Sequence, residues 1–278
     1  MTPDLTFITS LRHPHNSHDY AAVEALLSAS LASWMRQSSE RFAIVVVGSR
    51  RPPLPDDPRV HFVPVDFPPP SSAAGPNTGR DAVLRDKGTK LAIGLIRARQ
   101  LGTGHVMFTD ADDFVSRRLA ALVGRHPEEP GWTITDGWRC NLERRTIRPQ
   151  FGDFHLTCGS SHIVRADLLP ATPPHLDATQ EQLYAVLGPR LERWLGSHMH
   201  LHDDIALAPL PFPGALYRVG TAESHSGNSL DGWGRPISPA VSREFGVPRT
   251  PWTPRGLARA LLPSSRAIRE RVRRLRRG

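Results

Sequence analysis

The sequence predicts an α/β fold, a mostly parallel sheet flanked by helices. Strand-like and helix-like stretches alternate from the first residues onward, the pattern of a doubly wound sheet. Residues 42–48 form an unbroken apolar run, as expected of a parallel strand buried on both faces. Residues 105–108 are apolar and lead at once into Asp110, Asp112 and Asp113. A buried strand ending in carboxylates places charge at the carboxyl edge of a sheet, where open α/β folds bind ligands.

Each element has its own warrant. Residues 5–11 read as the first strand, followed by a polar loop from Arg12 to Ser17. Val23, Leu26, Leu27, Leu31, Trp34 and Met35 recur at helical spacing. Residues 60–65 make a poorer strand, and Pro64 points to an edge or an end. Residues 66–84, rich in Pro, Ser, Gly and Asn, should be loop. A helix follows over 85–99, with Lys87 and Lys90 near an N-terminus that favours anions. Arg85 or Lys87 there either steadies a diphosphate or forms a solvated helix face.

Asp110 and Asp112, two apart, share a face on an extended backbone and suit a divalent cation with oxygen ligands. Alternatively, Asp112 or Asp113 N-caps a helix beginning near Ser116. A helix over 117–125 and a strand over 132–138 come next, with Asp136 and Trp138 either lining a binding site or, for Asp136, making a turn with Gly137. Gly159 and Ser160 permit close backbone approach, and no G-x-S-x-G elbow makes Ser160 or Ser161 a nucleophile.

At 278 residues, 39% hydrophobic and 22% charged, the chain reads as soluble and globular, one large domain or two small ones. No apolar run approaches the roughly 18–20 residues of a membrane span. No secretory signal is visible, and Cys140 and Cys158 are too few for a disulfide framework, so a cytoplasmic location is expected. The formal charge of +8 lies wholly in the last 25 residues, where nine arginines meet one glutamate. A neutral body with a cationic tail tells against a nucleic-acid partner. The expected division is therefore a domain over 1–253 and a basic tail over 254–278. Leu257, Leu261, Leu262, Ile268, Val272 and Leu275 among the arginines suggest an amphipathic helix on an anionic membrane surface, at the inner face of the cell membrane. A disordered basic tail is the alternative.

The run Arg85-Asp86-Lys87-Gly88-Thr89-Lys90, a Gly-containing turn, an apolar strand and Phe108-Thr109-Asp110-Ala111-Asp112-Asp113 occur in an order that resembles GT-A fold glycosyltransferases of the family-2-like group, whose D-x-D motif takes this D-A-D-D form. The resemblance spans roughly residues 5–235. It implies a metal-dependent transfer from a nucleotide-diphosphate sugar to a hydroxyl of a sugar, a lipid-linked or another acceptor, with inversion. It implies that Asp110, Arg12, Arg85 and Lys87 bind the donor, and that residues 66–84 form part of its lip. It further implies that Asp112 and Asp110 hold Mn²⁺ or Mg²⁺ and that His225, in a late Gly- and Asn-containing loop, completes the metal shell. Asp203-Asp204 resembles the late E-D pair of the inverting enzymes, making Asp204 the general base and Asp203 its substitute.

Other readings stay open. His198, His200 and His202 alternate as metal ligands on a strand would, and they resemble the H-x-H-x-D-H motif of metallo-β-lactamase-like hydrolases with a different aspartate order. A plain half-buried strand explains the same alternation. A nucleotidyltransferase also pairs metal carboxylates with an α/β sheet, although residues 5–20 contain no glycine for its phosphate loop. The last alternative is a non-enzymatic membrane-binding adaptor.

Overall fold

The structure is a computed structural model that describes residues 1–197, 200–221, 223 and 229–264. The chain opens with β1 (Leu5–Ser10), α1 (Tyr20–Trp34), β2 (Phe42–Gly48) and β3 (Val60–Pro64). Helix α2 (Arg80–Gln100) leads into β4 (His105–Phe108), then β5 (Phe114–Val115), α3 (Leu119–Arg125) and β6 (Gly131–Thr133). Next come β7 (Gly137–Asn141), β8 (Thr146–Gln150), β9 (His162–Arg165) and α4 (Gln180–Leu187). A π-helical segment, Leu191–Gly196, precedes α5 (Leu201–Asp204), β10 (Ala208–Pro209) and β11 (Ala215–Arg218). The last elements are β12 (Arg235–Pro236), α6 (Pro239–Phe245) and α7 (Pro254–Leu261).

The strands form two sheets. The larger runs β10-β6-β9-β4-β1-β2-β3, with β3, β2, β1 and β4 parallel and β9 antiparallel beside β4. It is the expected mixed α/β architecture, a mostly parallel central sheet flanked by helices. The smaller sheet runs β12-β8-β7-β11-β5.

The continuous apolar strands divide their side chains between two cores, as the period of two requires. Phe7, Ile44, Val46 and Met107 face α1, packing with Leu27, Leu31 and Trp34. Ile8, Val45, Val47 and Phe108 face α2, packing with Leu91, Leu95 and Ile96. Burying each such side chain stabilises the fold by about 1.5–3 kcal/mol, which is why helices seat on both faces. Two glycines let α2 and the 191–196 segment touch backbone to backbone. A Cβ on Gly88 would lie 2.5 Å from the Leu191 carbonyl oxygen, and one on Gly196 would collide with the Leu84 carbonyl.

Several sequence expectations need correction. Helix α2 begins at Arg80, so the loop is shorter than 66–84 and Lys87 sits two turns inside the helix, beyond reach of its N-terminal dipole. Residues 132–138 are not one strand: the chain passes from β6 in the large sheet to β7 in the small one. Alternation shows only which faces are buried, and two short strands in different sheets satisfy it equally. Residues 201–204 are helical, so His200 and His202 do not alternate along a strand. The edge position expected for the Pro64 strand holds, since β3 ends the sheet. Residues 254–262 pack on the small sheet, where Thr146 Oγ1 donates to the Ala260 carbonyl at 2.6 Å and Arg144 to that of Leu262. Among the described residues no helix is long and apolar enough to cross a membrane. The arginine-rich residues 265–278 lie outside the described residues.

Candidate active site

Register brings the carboxyl ends of β1 and β4 together. Leu5 pairs with His105 and Ile8 with Phe108, and the Thr109 N–H then donates to the Ile8 carbonyl at 2.9 Å. Arg12, just past β1, therefore meets the acidic turn just past β4. Both line a cleft of about 640 Å³, shared with Asn16, Asp86, Lys87, Gly159 and Glu223.

The acidic segment is the crossover between sheets. Asp113 N–H donates to the Asp110 carbonyl at 3.1 Å, closing a turn, and β5 then joins the smaller sheet. Asp110 and Asp112 thus share the cleft through a turn rather than through the face of an extended strand. Asp113 is wholly buried and structural. Its carboxylate accepts from Ser160 Oγ at 2.7 Å, Cys158 Sγ at 3.2 Å and the Arg218 N–H at 3.1 Å. Ser160 Oγ also accepts from the Asp110 N–H at 2.9 Å, fixing the turn from a second side. The capping alternative fails, because the N-cap of α3 is Arg118 and the first-turn Ala120 N–H is taken by Gln37 Oε1 at 2.9 Å.

This crowding shifts the acids. Burial, then the charges of Asp112 and Asp110, push Asp113 well above the usual carboxylate range. Asp112 opens partly onto the cleft with protein around its other sides, and burial followed by the charge of Asp110 raises it to about 6. Arg218 and Lys87 moderate that rise.

The cations are distributed unevenly. Lys87 Nζ lies 2.6 Å from Asp110 Oδ1. Arg12 donates from Nη1 to Glu223 Oε2 at 2.6 Å and from Nη2 to the Glu223 carbonyl at 2.8 Å. Burial lowers the Arg12 pKa, while Glu223 and then Asp112 favour its charged form. Glu223 Oε1 in turn accepts the N–H groups of His18 and Asp19 at 3.1 and 2.9 Å, clasping the loop after β1. Arg85 is exposed on the outer side of α2, 5.0 Å over the Tyr184 ring, and does not line the cleft. Lys90, 0% exposed, is an internal strut that donates to the Leu11 carbonyl at 3.0 Å and to Asp86 Oδ2 at 2.7 Å.

Asp203 and Asp204 sit on α5 and do not line the cleft. Asp203 pairs with Arg193 at 2.7 Å and with His200 and His202 at 3.0 and 3.4 Å. Asp204 accepts from Trp194 Nε1 at 2.7 Å. Trp194 precedes Gly196 and Ser197, which do line the cleft. His202 also meets His162, with Nδ1 and Nε2 3.2 Å apart. His225 and His198 lie outside the described residues. Among the described residues no group of three or more His, Cys, Asp or Glu is arranged to hold a metal ion.

Sequence reasoning missed Glu223, Asp86 and Arg80 as cleft residues. Arg80 was concealed by placing the helix start five residues too late. Nothing local marks Glu223, whose partner Arg12 is 211 positions away.

No family model matches the chain, and no curated protein matches it. Among solved structures 44 chains match. One is a crystal structure from Desulfovibrio desulfuricans G20, provisionally named a nucleotide-diphospho-sugar transferase. It is 9% identical, with a TM-score of 0.31, over 78% of this chain and 82% of that one.

Proposed function

We propose that the protein is a glycosyltransferase that takes a nucleotide-diphosphate sugar as donor and passes the sugar to an acceptor hydroxyl, with inversion, assisted by Mn²⁺ or Mg²⁺. The observation that carries this reading is the convergence of Asp110, Asp112, Lys87 and Arg12 on one cleft at the carboxyl end of a parallel sheet. The D-A-D-D resemblance supports it.

Asp110 and Asp112 bring to one cleft two carboxylates, the oxygen ligands that a divalent cation takes. Asp112, held up at about 6 by burial and by Asp110, is a carboxylate that a cation would stabilise in its charged form. Two carboxylates leave coordination positions for diphosphate oxygens. A cation held by Asp110 and Asp112 would supply Lewis-acid stabilisation of the leaving diphosphate. Lys87 and Arg12 bind the donor phosphates, Lys87 exchanging Asp110 for a phosphate oxygen. The resemblance alone makes Asp204, on α5 outside the cleft and holding the Trp194 indole, the base for the acceptor hydroxyl's proton, and His225 a metal ligand. The basic residues beyond 254 hold the enzyme at an anionic membrane surface.

Thermal unfolding with Mn²⁺ and a panel of UDP, GDP, dTDP and CMP tests the reading on wild type and Asp112→Asn. A native state that binds ligand is stabilised by RT ln(1 + [L]/Kd). The expected result is a metal-dependent shift with one nucleotide, absent in the variant. A shift with Zn²⁺ alone, abolished by His200→Ala, would replace the transferase with the hydrolase.

A further inference from the structure

Three polar atoms on residues lining this cleft have no hydrogen-bond partner among the described residues: Asn16 Oδ1, Thr78 Oγ1 and Asp86 Oδ1. They come from three separate elements, the loop after β1, the loop before α2, and α2 itself. Asn16 is 1% exposed and Asp86 8%. Such deeply placed acceptors are nearly always satisfied in folded proteins, so several unsatisfied ones around one cleft point to a missing partner.

The other end of each buried side chain is already engaged. Asn16 Nδ2 donates to the carbonyls of Ser71 and Ala73 at 3.1 and 3.0 Å, which leaves its oxygen as the unused end. Asp86 Oδ2 is held by Lys90 at 2.7 Å, which leaves Oδ1. Both remaining atoms can only accept, and the Thr78 hydroxyl can accept or donate. Asp86 directly precedes Lys87 on α2, so this wall adjoins the groups read above as phosphate-binding.

Resting on the transferase reading, we infer that Asn16, Thr78 and Asp86 form the subsite for the nucleoside end of the donor and recognise two adjacent hydrogen-bond donors on it. Two parts of a nucleotide present such a pair: the N1–H and 2-amino edge of guanine, and the cis-diol of ribose. Uracil presents a single N–H between two carbonyls, which a row of acceptors would repel.

Titration calorimetry of the full chain in Mn²⁺ with GDP, IDP, UDP and 2′-deoxy-GDP tests the subsite. If the guanine edge is read, GDP binds about ten- to a hundredfold more tightly than IDP or UDP, the worth of one or two hydrogen bonds to such a site. If the diol is read, GDP, IDP and UDP bind alike and 2′-deoxy-GDP is weaker by a similar factor. In either case Asp86→Asn and Thr78→Val reduce the discrimination. Thr78→Val and the wild-type panel decide the matter should Asp86→Asn, which strips Lys90 of its counter-charge, fail to fold. Equal binding of all four nucleotides, or discrimination untouched by both variants, overturns the subsite and leaves the transferase standing. Binding of none overturns the transferase reading and this subsite together.

Discussion

Lys87 Nζ and Asp110 Oδ1 lie 2.6 Å apart in the lining of the cleft, so the candidate site carries its own ion pair. Both side chains are about a quarter exposed, and a pair so placed contributes little to stability, about 0–1 kcal/mol. Lys87→Met should therefore change unfolding stability by less than about 1 kcal/mol. Affinity for a nucleoside diphosphate should fall about tenfold, the loss of one charge-assisted hydrogen bond. Chemical denaturation and titration calorimetry give the two numbers. Unchanged affinity would remove Lys87 from the donor site.

Asp112→Asn should separate stability from binding. The charged Asp112 is opposed by burial and by Asp110, so the neutral amide should stabilise the ligand-free protein by about 1 kcal/mol at neutral pH. The same change should abolish the Mn²⁺-dependent shift in melting temperature. A variant that melts lower than wild type without ligand would show Asp112 to be a structural acid like Asp113.

What was legible in the sequence was local. Residues 42–48 announced a strand buried on both faces because each side of it meets a different core, and the carboxylates after residue 108 announced the cleft because strand polarity fixes which edge they occupy. What was hidden depends on distant pairing. Glu223 gains its role from Arg12 and from the backbone at His18 and Asp19, all more than 200 positions away, and not from any motif. The start of α2 was misplaced because Gly79 caps it without a side-chain bond and the preceding Pro, Gly and Asn residues read as continuous loop. Asp86 looked like one more polar helix residue until the buried Lys90, four positions on, proved to be its partner.

Gly196→Ala should damage both the fold and the site. The added methyl meets the Leu84 carbonyl, which belongs to α2 and cannot rotate away as a side chain would. Overpacking of this kind costs about 1–3 kcal/mol. Because Gly196 and Ser197 line the cleft, displacement of the segment should also weaken nucleotide binding. Urea denaturation and calorimetry on the same preparation measure the two losses. A variant of wild-type stability would mean that the two helical backbones are not in direct contact.

His105 should make the protein acid-sensitive. It is 1% exposed, its ring packs 5.6 Å from that of Trp132, and Nε2 donates to the Glu129 carbonyl at 2.8 Å. Burial lowers its pKa below 6.5, with the Glu129 hydrogen bond acting the other way. Between the lowered native value and 6.5 the unfolded chain therefore holds a proton that the native state does not. Stability is complete above pH 6.5 and is lost as the pH falls through that window. Asp112 and Asp113, raised by burial, have the opposite sign, so the net slope of the wild type alone is not diagnostic. The diagnostic quantity is the difference from His105→Gln, which keeps a neutral donor and cannot titrate. Between pH 7 and 5 the wild type should lose more stability in chemical denaturation than this variant. Parallel curves would mean that the imidazole protonates in place, with the Glu129 carbonyl and solvent satisfying the charge.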